Sequence, residues 1–336
     1  GVFEGRDKPD RFVPATESAI WYEKVTLKNV HHHHKREGAI GDAVVLKDEK
    51  MATSEITEFL NWGGSTVVDV TNIGIARDPR ALFRISTATS LNIVMGCSWY
   101  GVRSHPDDMD ERTVEELTDE IVRDITVGVG DTGIKAGIIG EVGIGGNPLK
   151  PNEIKVIRAS ARASRATGAP ITLHWGGLGR EKLELAAAID EEGGELTRTI
   201  YGHSDLMAHN MPLMLEVLET GAYIQFDLLG RPGVSLSWGP LSSSTENPWP
   251  YYKTDSGTAL VAYAIVKLIK EGYGDKILIS QDVCEKPQLK AYGGTGYSFI
   301  LETFLPHLRT LGVSEEDIKK IVVENPKRIL TFVEPK

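Results

Sequence analysis

Residues 161–175 read ARASRATGAPITLHW, and this stretch contains one complete passage from a helix into a strand. The glycine in TGA (167–169) is the residue type that commonly ends a helix, and PITLHW (170–175) is a short, almost continuous apolar run. Strands without polar alternation are typical of parallel sheets, whose two faces are both covered. The stretch therefore predicts an α/β protein with a parallel sheet.

The same passage recurs along the chain after residue 60. Amphipathic segments separate the apolar runs, and Thr113 and Ser314 open two of these segments with capping-box patterns. Regular strand–helix alternation favours a (β/α)8 TIM barrel over an open doubly wound sheet, and no Gly-rich dinucleotide fingerprint is present. The other predicted strands are STVVDV (65–70), NIVMGC (92–97), AGIIGEV (136–142), TIYGHS (199–204), AYIQFD (222–227) and KILISQD (276–282).

A closed barrel needs an eighth strand, which must precede residue 60. VTLKNV (25–30) is one candidate, and a strand upstream of Gly1 is the other. No linker or shift in composition divides the chain. We therefore expect one barrel domain over residues 1–336, with an irregular N-terminal segment over 1–60 that either contains or lacks the first strand.

Composition excludes several classes of protein. An apolar content of 41% and a charged content of 25% are ordinary for a soluble globular chain, and the net charge of −10 argues against a nucleic-acid partner. No apolar run is long enough to span a bilayer, and GVFEGRDKPD (1–10) lacks a secretory pattern. Cys97 and Cys284 form no disulfide framework. We expect a cytoplasmic protein that acts on a small molecule.

Polar side chains follow the predicted strands at their carboxyl ends, where barrels of this type carry their active sites. Imidazoles and carboxylates suit Zn²⁺, with Mn²⁺, Co²⁺ or Fe²⁺ as alternatives. The residues at these ends are Asp69, Tyr100, Glu141, His174, His203 and Asp282. Four of these are metal-ligand types on four separate strands, namely Glu141, His174, His203 and Asp282.

Two of the four predicted ligands also have catalytic roles in this interpretation. Glu141 has two oxygens and can bridge two ions, between which a water loses a proton near neutral pH. Asp282 can bind one ion and accept the proton of the attacking water. The sequence thus predicts a hydrolase with two divalent ions, in which Glu141 and Asp282 are catalytic.

Longer segments resemble the phosphotriesterase family of the amidohydrolase superfamily over residues 55–333. That family folds as a (β/α)8 barrel with two divalent ions and commonly forms dimers, so the resemblance implies a homodimer with the same fold. The matching segments are GGSTVVDVTNIGIARDP (63–79), VEELTDEIVRDITVGVGDTGIKAGIIGEVG (114–143), ARASRATGAPITLHWGG (161–177), YGHSD (201–205), ILISQD (277–282) and ENPKRIL (324–330).

The resemblance implies a role for each matching residue. His174 and His203 resemble the pair on the more exposed ion, and Asp282 resembles the acid on the buried ion. Glu141 falls where many members have a carbamylated lysine and some relatives have a bridging glutamate. Tyr100 falls where lactone-hydrolysing members carry a tyrosine near the bridging water; the alternative is an aromatic ring that fills the barrel mouth.

The run NVHHHHKREG (29–38) leaves two interpretations open. The family ends its first strand with a His-x-His pair, which His32 and His34, or His31 and His33, can supply if VTLKNV is that strand. Alternatively, the pair lies upstream of Gly1 and the four histidines occupy a surface loop or helix. We favour the second interpretation, because residues 25–46 resemble a segment that follows the pair in longer relatives.

The substrate is the least determined part of the prediction. Arg231, after the sixth predicted strand, can pair with a carboxylate or phosphate of the substrate, and 229–255 and 292–299 are candidate walls of the pocket. Our first hypothesis is hydrolysis of a lactone or carboxylic ester, with promiscuous phosphotriesterase activity. The alternatives are an amide or carbamate hydrolase on the same site and a catalytically silent binding protein.

Overall fold

Seven parallel strands form one sheet in the computed structural model, which describes residues 18–35, 38–145, 148–175, 180–231 and 256–336. The order of strands in the sheet is the order in the chain, and every adjacent pair is parallel. The strands are β1 (Thr66–Asp69), β2 (Asn92–Cys97), β3 (Ile138–Ile144), β4 (Ile171–Trp175), β5 (Thr199–Tyr201), β6 (Tyr223–Phe226) and β7 (Ile277–Ile279).

Helices connect the strands, as parallel neighbours require. The α-helices are α1 (Val30–Lys35), α2 (Glu49–Asn61), α3 (Pro79–Thr89), α4 (Val114–Thr126), α5 (Pro151–Thr167), α6 (Glu181–Glu191), α7 (Met211–Glu219), α8 (Ser256–Lys270), α9 (Leu305–Thr310), α10 (Glu315–Lys319) and α11 (Asn325–Leu330). Short 3₁₀ segments are Ala19–Tyr22, Gly41–Val44, Val102–Ser104, Leu196–Arg198, Ser204–Met207, Gly274–Lys276, Lys286–Gln288 and Lys290–Tyr292, and π-helical turns are Ile300–Phe304 and Lys320–Glu324.

The stretch ARASRATGAPITLHW folds as its sequence predicts. Helix α5 ends at Thr167, and Gly168 follows with φ 74° and donates its N–H to the Ser164 carbonyl. A side chain at position 168 would collide with the chain, because an added Cβ would lie 1.8 Å from the Val333 carbonyl oxygen. The first three residues of strand β4 are buried, and His174 near its end is partly exposed.

The sheet is curled rather than flat. Burial, followed by the charges of Glu141 and Asp282, raises the pKa of Tyr100. Tyr100 follows β2 and Asp282 follows β7, so in a flat sheet five strand spacings, or roughly 24 Å, would separate them. Because the charge of Asp282 acts on Tyr100, the carboxyl ends of β2 and β7 must approach one another.

VTLKNV (25–30), one of the two candidates for the eighth strand, does not form a strand. Thr26 donates its backbone N–H to the Asn29 side chain at 2.8 Å, which stabilises a turn, and α1 begins at Val30. Val25 and Val30 pack with Ile40 in a small cluster of their own while Leu27 is exposed, so these two valines belong to a local core rather than to a strand. No strand precedes Thr66 in residues 18–35 and 38–65.

The expectation of an irregular segment over residues 1–60 also needs correction. Its described part contains α1, the 13-residue helix α2 and two 3₁₀ turns. Asp48 caps α2 by accepting hydrogen bonds from the backbone N–H groups of Lys50 and Met51. This cap is a single aspartate without a capping-box partner, which makes the start of the helix harder to recognise in the sequence.

The capping residues predicted for two helices are confirmed. Thr113 Oγ1 accepts the backbone N–H of Glu116 at 3.2 Å, and the Glu116 carboxylate accepts the Thr113 N–H at 2.8 Å. Ser314 likewise accepts the N–H of Asp317 at 3.1 Å.

We expect Thr113→Ala to lower the free energy of unfolding by about 1 kcal/mol, because one N–H at the start of α4 loses its partner. Urea denaturation measures this change. Thr126→Ala in the last turn of the same helix is the control and should be close to neutral, because alanine is the better helix former there. Equal losses for the two variants would show that the cap contributes nothing specific.

Candidate metal centre

Three ligand-type side chains meet at the carboxyl ends of adjacent strands. Glu141 lies in β3, His174 in β4 and His203 two residues after β5. Glu141 Oε1 is 3.0 Å from His174 Nδ1 and 3.7 Å from His203 Nε2, and the two imidazole nitrogens are 3.0 Å apart. Within the described residues, this is the one group of three or more such side chains whose ligand atoms converge.

The spacing of these three atoms fits a single metal ion. In a tetrahedral site with bonds of about 2.0–2.1 Å, the ligand atoms lie roughly 3.3–3.4 Å apart. The observed separations of 3.0, 3.0 and 3.7 Å bracket that value. Two neutral imidazole nitrogens and a carboxylate oxygen are also the donor set that Zn²⁺ and related divalent ions prefer. The three residues therefore fit a divalent metal ion of the kind that the sequence predicts.

Asp227, just beyond β6, holds His203 in place. Its carboxylate accepts from His203 Nδ1 at 2.5 Å and from the His203 backbone N–H at 3.0 and 3.1 Å. These bonds fix the imidazole with Nε2 directed at Glu141 and stabilise a backbone φ of 49°, which is uncommon for a residue other than glycine. A carboxylate behind a histidine ligand is the usual support of a metal site.

Our sequence interpretation missed Asp227 as a functional residue. The signal was present, because Asp227 ends the run AYIQFD and the strand-end rule that selected Glu141 and His174 applies to it equally. Its own support comes from Gln225, which donates to its Oδ2 at 2.8 Å, and from Asp205, which accepts its backbone N–H at 2.7 Å.

Buried charges set the protonation of the centre. Burial lowers the pKa of His203, but the charge and hydrogen bond of Asp227 outweigh it and raise the pKa to about 9. Burial raises the pKa of Glu141, but the neighbouring imidazoles, His174 first, outweigh it and lower the pKa below its ordinary value. At neutral pH without metal, His203 is therefore an imidazolium beside the Glu141 carboxylate.

Tyr100 contacts the centre through His174. Its hydroxyl lies 3.0 Å from His174 Nε2, and the two ring centroids are 4.7 Å apart. This bond leaves His174 Nδ1 directed at Glu141. His105 Nε2 in turn forms a hydrogen bond with the Tyr100 backbone carbonyl at 2.8 Å, which anchors the loop after β2. The predicted substrate-binding residue thus lies at the centre and orients a ligand-type histidine.

Asp282 and Arg231 form a pair beside the three-residue group. The Arg231 guanidinium is 3.2 Å from Asp282 Oδ2, and its NH2 donates to Cys284 Sγ at 2.7 Å. Burial raises the pKa of Asp282, while the charge of Arg231 opposes that shift. Asp282 lies near the group but is not one of the converging atoms, so its ligand role stays a prediction. Of the predicted walls, 292–299 is described, and residues 232–255 lie outside the described residues.

The four consecutive histidines belong to α1, and the interpretation that makes them a strand-end pair is wrong because VTLKNV is not a strand. The preferred interpretation places the histidines in a surface loop or helix and the His-x-His pair upstream of Gly1. The helix is confirmed and the upstream pair stays a prediction, but not every ring of the helix is at the surface. His33 is buried and its Nε2 lies 2.8 Å from the Glu285 carboxylate.

A parallel α/β sheet with histidine and carboxylate ligands gathered at its carboxyl edge defines a class of metal-dependent hydrolases. The Phosphotriesterase family matches residues 19–330, and the chain belongs to this family. The predicted resemblance is confirmed.

Two relatives in sequence cover nearly the whole chain. An N-acetyltaurine hydrolase of Dictyostelium discoideum is 37% identical over 311 residues, which are 93% of this chain and 81% of that protein. A phosphotriesterase-related protein of Nematostella vectensis is 35% identical over 312 residues, covering 92% and 86% of the two chains.

Solved structures share the fold. A resiniferatoxin-binding protein from Rhodobacter sphaeroides superposes with a TM-score of 0.86 at 28% identity, over 96% of this chain and 86% of that one. A lactonase from Listeria monocytogenes superposes with a TM-score of 0.73 at 27% identity, over 87% and 89%. Among the described residues, no helix combines the length and apolar character needed to cross a membrane.

We expect Asp227→Asn to weaken the binding of Zn²⁺ by about tenfold to a hundredfold, because the amide cannot raise the basicity of His203 as a carboxylate does. Competition with a chromophoric chelator measures the affinity. Asp190→Asn, an exposed change on α6, is the matched control and should bind like the wild type.

Asp227→Asn also tests the effect of Asp227 on the protonation of His203. Because the pKa of His203 is about 9, metal binding near pH 7 must displace a proton from its Nε2, and affinity should rise with pH until about pH 9. Calorimetry in buffers of different ionisation enthalpy should show this release in the wild type and less of it in Asp227→Asn. Equal release in both proteins would contradict the assigned role of Asp227.

Proposed function

We propose that the chain is a metal-dependent hydrolase that cleaves a carboxylic amide whose amine portion carries an acidic group. The convergence of Glu141, His174 and His203, braced by Asp227, is the observation that carries the hydrolase part. A divalent ion held by these residues supplies Lewis acidity toward a carbonyl oxygen and acidifies water. We also infer that the curled sheet belongs to a (β/α)8 barrel, in which this edge is the active-site face.

The residues around the centre have complementary tasks. Asp227 keeps His203 in its orientation, and Tyr100 does the same for His174. Asp282 is partly exposed and desolvation raises its pKa, which suits a group that accepts a proton from water and delivers it to the leaving amine. Amide cleavage needs that delivery, because an amide nitrogen leaves only after protonation.

The substrate class rests on the relatives and on Arg231. The sequence favoured lactones and esters, but the Dictyostelium relative is an N-acetyltaurine hydrolase, which moves the amide alternative to first place. N-acetyltaurine carries a sulfonate on its amine portion. Arg231, whose side chain is 12% exposed beside Asp282, offers a guanidinium for such an anion.

Two other functions have specific support. A lactonase among the structural neighbours, together with Tyr100, favours lactone hydrolysis. A resiniferatoxin-binding protein with the same fold favours the silent binding protein. Weak phosphotriester turnover, Zn²⁺ as the native ion, a second ion, a homodimer and a cytoplasmic location stay predictions.

A substrate panel separates these functions. We expect the Zn²⁺-loaded protein to release acetate from N-acetyltaurine faster than from N-propylacetamide, which keeps the amide and lacks the sulfonate. A γ-lactone and a phosphotriester complete the panel. Turnover of the lactone alone would favour the second function, and no turnover with a full metal complement would favour the binding protein.

We expect Glu141→Gln to reduce kcat by more than about a hundredfold and to lower metal content, since a neutral amide is a poor ligand for a divalent ion. Elemental analysis and acetate release measure the two effects. Glu216→Gln, at an exposed surface pair with Arg180, serves as the control and should be unchanged. Wild-type turnover in Glu141→Gln would remove this residue from the mechanism.

A further inference from the structure

The N-terminal part of the chain forms hydrogen bonds and ion pairs with the loop after β7. We define the β7 loop as residues 282–292 and the N-terminal segment as the described residues between 18 and 61. The most enclosed contact is between His33 Nε2 and Glu285 Oε2, which are 2.8 Å apart, with side chains only 4% and 6% exposed. A charged group is buried in this way only when it is paired.

Two further contacts attach the same loop. Asp42 Oδ2 lies 2.9 Å from Lys286 Nζ, at the start of the loop's first 3₁₀ turn. The buried carboxylate of Glu55 accepts the backbone N–H groups of Lys290 and Ala291 at 2.9 and 2.8 Å. The N-terminal segment therefore holds the β7 loop at three successive points.

Inside the loop, Gln288 connects these anchors to Asp282. Its Oε1 accepts the backbone N–H groups of Cys284 and Glu285, each at 2.9 Å. Its Nε2 donates to the Asp282 carbonyl at 2.7 Å. A displacement of Glu285 is thus transmitted to Asp282 through one side chain and three hydrogen bonds.

The backbone of Asp282 needs such support. Its φ of 44° lies in the left-handed region, which is unfavourable for an aspartate and persists only where the surroundings hold it. The Asp282 carboxylate also forms an ion pair with Arg231, whose guanidinium donates a hydrogen bond to Cys284 in the same loop. Loosening of the loop would release both partners.

We propose that His33 is a positioning residue for the centre, because its bond to Glu285 fixes the β7 loop and thereby the placement of Asp282. The neighbouring histidines differ: His31 is exposed and His32 is partly exposed. Loss of the His33 imidazole leaves a carboxylate buried without this partner, and the loop must move to hydrate it. One histidine of the run thus serves the centre from a distance.

Cys284 provides a test that does not depend on catalysis. The chain has two cysteines, and Cys97 is fully buried whereas Cys284 is partly exposed. His33→Phe keeps a ring and removes the hydrogen bond. In this variant we expect iodoacetamide to modify Cys284 about tenfold faster than in the wild type, because a loosened β7 loop exposes the thiol more often. Peptide mass spectrometry assigns the modified cysteine.

Three matched variants isolate the bond. His33→Gln retains an N–H donor and should restore slow modification, and His31→Ala should match the wild type. Arg198→Met removes buried hydrogen bonds to carbonyls near the C-terminus and controls for general destabilisation. Faster modification of Cys284 in Arg198→Met, equal to that in His33→Phe, would overturn the proposal.

A kinetic measurement links the loop to function and rests on the proposed hydrolase activity. We expect kcat of the Zn²⁺-loaded His33→Phe protein to fall by about tenfold to a hundredfold with smaller change in KM, and His33→Gln to recover most of it. If no variant, including the wild type, hydrolyses the panel, the proposed function fails while the cysteine measurement still decides the positioning role.

A second variant covers the case in which His33→Phe does not fold. Glu285→Gln keeps the shape of the side chain and replaces a charge-assisted hydrogen bond with a weaker neutral one. We expect Cys284 to react faster in this variant than in the wild type. An unchanged rate in Glu285→Gln or in folded His33→Phe would show that the pair does not hold the loop.

Discussion

The arrangement of this molecule depends on placing two imidazole nitrogens and a carboxylate oxygen within 4 Å of one another in a largely buried position. Glu141, His174 and His203 come from three consecutive strands, and parallel pairing brings their carboxyl ends to one edge. Such a group is costly to bury unless each member has a partner. Asp227 and Tyr100 supply partners from the far side of each imidazole, which leaves one nitrogen of each ring directed inward.

The rest of the fold serves this edge. The curl of the sheet brings the end of β7 toward the end of β2, so that Asp282 and Arg231, which follow β7 and β6, lie in the region that contains Tyr100. Glycine at position 96 permits the close approach of β2 and β3, because an added Cβ would lie 2.1 Å from the Gly140 carbonyl oxygen. The N-terminal segment then encloses the loop that carries Asp282. The same loop therefore packs against the N-terminal segment and carries Asp282.

Much of this could be predicted from the sequence, for identifiable reasons. The candidate residues were visible because apolar runs in a parallel sheet are continuous, so a polar Glu141 or His174 stands out against them. VTLKNV was one of two candidates for the eighth strand and is not a strand, because its Asn29 side chain stabilises a turn. The pairing of His33 with Glu285 spans 252 positions, and no local pattern encodes a contact of that separation.

Substrate preference depends on parts of the site that the strand pattern does not specify. Arg231 and Asp282 form a pair whose arrangement follows from the loops, and relatives with this fold include an amide hydrolase, a lactonase and a ligand-binding protein. The most direct measurement is a crystal structure of the Zn²⁺-loaded protein with anomalous data at the zinc edge. The account predicts a peak about 2.0–2.3 Å from Glu141 Oε1, His174 Nδ1 and His203 Nε2; a fully loaded protein with no peak among these three atoms would contradict it.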